Sequence, residues 1–79
     1  MKRIEYCMGE DSEIREMLKL YRAYSRFDTE LNIRLYEASR FERMSTSELA
    51  EQEYLSRATV LRRIKEVDSF LNTKINENK

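Results

Sequence analysis

The 79-residue chain has no proline and a single glycine, Gly9. Without proline nothing forbids a helix from continuing. Without glycine no position turns left-handed at low cost. Breaks beyond Gly9 must therefore be read from capping chemistry. The rest, mostly Leu, Glu, Arg, Lys, Ala and Ser, leans to helix. The expected fold class is all-α, a small bundle of about four helices. A chain of this length makes one domain with a thin core.

Several chemistries are excluded by residue type. There is no histidine, which removes imidazole acid–base catalysis, Ser-His and Cys-His nucleophiles and any His-containing metal site. The lone Cys7 excludes an internal disulfide and a four-thiolate zinc site. Glycine-rich phosphate loops are excluded by the glycine count. No enzymatic function and no cofactor or metal is therefore expected. Fifteen Lys and Arg balance fifteen Asp and Glu, so any basic surface must be local. No apolar run reaches the roughly 18 residues of a membrane span. The start, Met1-Lys2-Arg3-Ile4-Glu5, lacks a secretory apolar stretch, so a cytoplasmic setting is expected.

Capping residues and periodicity divide the chain. A first helix is expected from Asp11 or Ser12, either of which can cap it, with Ile14, Met17, Leu18, Tyr21 and Tyr24 on one face. A second is expected after Asp28 or Thr29, ending near Glu42. Leu31, Leu35 and Ala38 line one side of it, and Ile33 and Tyr36 the other. A helix apolar on two sides is usually covered on two sides. The third has the clearest start. Ser45 and Glu48 fit a capping box, and Met44 and Leu49 fit a hydrophobic staple. After a short turn at Tyr54-Leu55, Ser56 can cap a fourth helix, Arg57 to about Leu71, with Val60, Ile64, Val67 and Leu71 as its apolar stripe. The chain thus divides into an N-terminal extension helix (1–27), a tri-helical core (28–71) and a flexible polar tail (72–79).

Thr46 to Leu71 carries the functional signal. A short helix with small Ala50, a turn of about three residues and a helix opening at Ser56 form a helix-turn-helix layout. Arg57–Leu71 contains Arg57, Arg62, Arg63 and Lys65 against Glu66 and Asp68, whereas Met44–Tyr54 contains Glu48, Glu51 and Glu53 and no cation. The zero net charge thus hides a basic element beside an acidic one.

The run Ser47–Ile64 resembles bacterial helix-turn-helix regulators, most closely the DeoR-type and Mga-type groups. Glu48, Leu49, Ala50, Leu55, Ser56, Thr59, Val60 and Arg62 match their pattern, and aromatic Tyr54 is closer to the Mga type. Sigma-factor region four shares much of the pattern without a wing. The resemblance implies sequence-specific binding of double-stranded DNA in transcriptional regulation. The recognition helix, about 57–71, would lie in the major groove. Ser56, Arg57, Thr59 and Arg62 would carry base and phosphate contacts, flanked by Ala58, Arg63 and Lys65. Such regulators carry a β-hairpin wing after this helix; only eight residues, mostly polar, follow Leu71, so the wing is expected to be absent or truncated. A homodimer through the N-terminal helix and an RNA polymerase contact are further expectations. The alternative is a protein–protein adaptor that binds the transcription machinery or another regulator without touching DNA.

Overall fold

The computed structural model describes residues 4–77, and in these the chain forms α1 (Asp11–Tyr24), α2 (Thr29–Arg40), α3 (Thr46–Gln52) and α4 (Arg57–Glu77), with no strand. The architecture is all-α. A non-helical leader, residues 4–10, precedes α1.

Three connections turn without glycine by using residues with positive φ: Asp28 (50°), Arg43 (59°) and Tyr54 (56°). Asp tolerates this conformation; Arg and Tyr adopt it at a cost. Backbone bonds hold each bend. Met44 N–H donates to the Ala38 carbonyl (3.0 Å) beyond α2, and Leu55 N–H to the Ala50 carbonyl (2.9 Å) beyond α3. The second is the six-to-one bond of a Schellman cap, in which Tyr54 holds the site usually given to glycine.

Helix starts follow capping chemistry in two of four cases. At α3 the box is complete: Ser45 Oγ accepts from Glu48 N–H at 3.1 Å, and Glu48 Oε1 accepts from Ser45 N–H at 3.3 Å. At α4, Ser56 Oγ accepts from Thr59 N–H at 3.1 Å. The expected cap at Asp11 or Ser12 is not formed. Both lie inside α1, whose cap residue is Glu10 with no side-chain bond. Asp11 and Glu13 instead place negative charge in the first turn, where it complements the helix dipole. Asp28 caps α2 by position alone.

One core runs through all four helices. It joins Ile14, Leu18 and Tyr21 of α1, Ile33, Leu35, Tyr36 and Ala38 of α2, Leu49 and Ala50 of α3, and Val60, Ile64, Val67, Leu71 and Ile75 of α4. The two apolar sides of α2 are both covered, since α2 packs on α1, α3 and α4. The first helix is not an addition to a three-helix core, because it packs on both α2 and α4 and supplies three of the buried side chains. Nor is the segment after Leu71 a tail: α4 continues to Glu77, and Ile75 is only 5% exposed. Ile75 extends the Ile64–Val67–Leu71 stripe by one more turn. It finds cover because the leader crosses it. A Cβ on Gly9 would stand 3.1 Å from the Cδ1 atoms of Ile14 and Ile75, so the leader backbone packs tightly there and a larger residue would make those side chains give by a few tenths of an ångström. Residues 78–79 of the expected tail lie outside the described residues.

A polar cluster fixes the leader to α2 and α4. Asp68 of α4 accepts from the Cys7 N–H (3.0 and 3.1 Å to its two oxygens) and from the Tyr36 hydroxyl (2.6 Å). Arg40 donates to Tyr36 Oη (2.7 Å) and to the Gly9 carbonyl (3.2 Å), and its guanidinium lies 3.9 Å from Asp68. Tyr6 packs edge-on against Tyr36 at 5.8 Å between centroids, and its hydroxyl bonds Ser39. Burial, together with the bond to Asp68, pushes the Tyr36 hydroxyl far above its ordinary pKa. The same two causes raise that of the Cys7 thiol. A thiol held in its protonated form is a poor nucleophile.

Candidate nucleic-acid interface

The first half of α4 holds its charges in an arrangement unlike the rest of the molecule. Most basic side chains are paired: Arg15 with Glu37, Lys19 with Glu16, Arg22 with Glu30, Arg34 with Glu53, Arg40 with Asp68, Arg63 with Asp28 and Lys74 with Glu77. Among the described residues, Arg26, Arg43, Arg57, Arg62 and Lys65 have no such partner. Three of these five lie within nine residues at the start of α4.

Helical geometry sets their direction. At 100° per residue, Ala58, Arg62, Lys65 and Ser69 fall within an arc of about 60°, while Arg57, in the first turn, lies about 80° outside it. All five are exposed. The arc faces away from Val60, Ile64, Val67 and Leu71, whose complete burial fixes the rotation of the helix. From Arg57 to Lys65 the row covers about 12 Å of axis. Glu66 is exposed at its edge.

Ser56 and Thr59 are arranged differently. Ser56 Oγ accepts from Thr59 N–H and donates to Thr59 Oγ1 at 2.8 Å. Both hydroxyls are thus occupied in starting the helix, and Thr59 is half-buried.

Arg63 does not belong with this row. Its guanidinium pairs with Asp28 at 2.9 Å and donates to Asn32 Oδ1 at 3.2 Å, and it lies over the Phe27 ring at 5.5 Å. Its side chain is 17% exposed. Asn32 itself is buried and donates to Tyr21 Oη at 3.0 Å. Arg63 therefore ties α4 to the α1–α2 junction. The structure thus places Arg63 apart from the exposed residues with which the sequence grouped it. Its inward direction is legible only from its partners, because position 63 falls on the border between the apolar stripe and the polar face.

The α3–α4 turn is braced from α2. Arg34 grips Glu53 with Nε at 3.1 Å and Nη2 at 2.6 Å. This two-pronged bond holds the Glu53 carboxyl below its ordinary pKa and raises that of Arg34. It also neutralises the acid nearest the start of α4. Nothing in the local spacing signals this pair, since its members are 19 positions apart.

Elsewhere the surface shows less chemistry. An open groove of about 300 Å³ runs between α1 and α2, over Ile33 and Phe41. Four of the charges along it pair with one another, Arg22 with Glu30 at 2.7 Å and Arg15 with Glu37 at 3.6 Å. No cluster of acidic or cysteine side chains suited to a metal is present among the described residues. No helix is long and apolar enough to cross a membrane among these residues.

No family model matches the chain, and no curated protein or solved structure matches it either.

Proposed function

We propose that the chain is a helix-turn-helix module that binds double-stranded DNA in transcriptional regulation, with α3 as the supporting helix and the first half of α4 lying in the major groove. The reading is carried by one observation. In a molecule with no net charge and most of its cations paired, Arg62 and Lys65 are exposed and free on the side of α4 opposite its buried stripe, and Arg57 is exposed and free at the start of the same helix. Leaving guanidinium and ammonium groups unpaired is useful where phosphates and base edges supply the partners. Arg62, on the outward arc, is the residue assigned to a base edge, where a bidentate bond to guanine is the commonest specific contact. Arg57 and Lys65 are assigned to phosphates on either side.

The test is fluorescence anisotropy with a labelled mixed-sequence duplex over a range of salt. Two or three phosphate contacts per chain give a log–log salt slope of about −2 to −3, and a dimer doubles it. Replacing Arg57, Arg62 and Lys65 together by Ala abolishes most of that slope. A wild-type protein with no affinity for duplex at low salt sinks the proposal.

A second reading is favoured by a separate observation. Tyr24 and Phe27, 69% and 72% exposed, stand at the end of α1. Aromatic side chains of this kind suit a protein contact, either a second copy of the chain or the transcription machinery. In the adaptor version, duplex affinity is absent and only this end of the molecule matters.

A further inference from the structure

We infer that Tyr54 contacts the nucleic acid, its phenol donating a hydrogen bond to a backbone phosphate beside the start of α4. This deepens the DNA-binding reading and rests on it.

The fold gains little from this side chain. Tyr54 has φ 56° and is 95% exposed, the most exposed large hydrophobic residue described. It takes part in none of the aromatic pairs, whereas Tyr6, Tyr21, Tyr24 and Tyr36 all pack against another ring. Its position closes α3 with a left-handed residue, a task that glycine or asparagine performs without the steric cost of a Cβ. A residue that is both strained and unpacked is the kind of outlier from which a functional role is argued.

Its surroundings point to the partner. Leu55, the next residue, packs against the core, so the chain presents Tyr54 and Ser56 outward on either side of it. Tyr54 therefore stands two residues before the cap of α4 and three before Arg57, the first of the free cations of that helix. The adjacent acid, Glu53, is neutralised by Arg34 and does not repel an approaching anion. A phenol adds a neutral donor there, which suits a phosphate oxygen. A protein partner would also accept an exposed ring, but the free cations beside it favour a polyanion.

The test compares Tyr54→Gly, Tyr54→Phe and Arg62→Ala with the wild type, by thermal unfolding and by anisotropy on two duplexes of different sequence. Tyr54→Gly relieves the turn and raises Tm by about 4 °C or more. It weakens binding of both duplexes by a similar factor, about 3- to 10-fold, as loss of a phosphate contact does. Tyr54→Phe keeps the ring and the strain, leaves Tm unchanged and loses the same affinity. Unchanged affinity in Tyr54→Gly, while Arg62→Ala is weakened, overturns the role of Tyr54 and leaves that of α4 standing. A protein-contact role for the ring gives that same result. A lower Tm in Tyr54→Gly overturns the claim that the fold does not need the side chain. No duplex binding by the wild type overturns this inference together with the reading beneath it.

Discussion

Asp68→Ala is the substitution that most sharply tests how the fold is closed. The carboxylate accepts from the Tyr36 hydroxyl at 2.6 Å and from the Cys7 amide at 3.0 and 3.1 Å. Hydrogen bonds to a charged group are each worth about 1.5–3 kcal/mol when buried. The two share one acceptor and are partly exposed, and Arg40 still holds Tyr36 and the Gly9 carbonyl afterwards. About 3 kcal/mol is therefore the expected loss. For a domain of this size, with roughly 4–12 kcal/mol of stability in all, that is a large fraction. Tm falls by about 12–24 °C. Urea denaturation followed by circular dichroism reads the loss as a lower midpoint at constant slope. The Cys7 amide exchanges faster in hydrogen-exchange experiments. Asp68→Asn, whose amide oxygen still accepts, loses about half as much. Tyr36→Phe alone costs about 2 kcal/mol. The two losses do not add in the double mutant, because they remove the same bond. A loss below about 1 kcal/mol for Asp68→Ala, or full additivity with Tyr36→Phe, refutes the idea that this carboxylate pins the leader.

Two further predictions concern the same frame. Ile75→Ala should cost about 2–4 kcal/mol in the same urea assay, as for a buried core residue; a frayed tail predicts almost none. The Arg34–Glu53 bond should give a small acid-sensitive contribution. Because Glu53 titrates below its ordinary value in the folded chain, the contribution is complete above the unfolded carboxylate pKa of about 4.3 and is lost as pH falls through the folded value. The wild-type advantage over Arg34→Ala is therefore at most about 1 kcal/mol at pH 7, since Arg34 is largely exposed. It should disappear near pH 2, and an advantage that grows on acidification contradicts the assignment.

Much of the architecture was legible in the residues. Four helices follow from a chain without proline. The starts of α3 and α4 follow from Ser45, Glu48 and Ser56, because capping is a contact between neighbours in sequence. Two of the misses share one cause, dependence on distant partners. The segment from Asn72 to Glu77 looks polar by composition, yet Ile75 is buried because residue 9 of the leader packs on it. Arg63 resembles Arg62 in sequence, but Asp28 and Asn32 draw it inward from more than thirty positions away. Asp11 and Ser12 are good capping residues, and the helix starts before either. For the candidate interface, periodicity places Arg62, Lys65 and Ala58 on the outward side. It does not reveal that the neighbouring cations are paired and these are not. That contrast gives the row its significance, and it needs three-dimensional partners to be seen.

The proposed working surface is the outward side of α4. The most direct test is a two-dimensional amide NMR titration of the ¹⁵N-labelled chain with an unlabelled duplex at low salt. The account predicts perturbations concentrated on Tyr54 and Ser56 to Lys65, with the α1–α2 groove unmoved. Perturbations confined to the end of α1, or none at saturating duplex, contradict it.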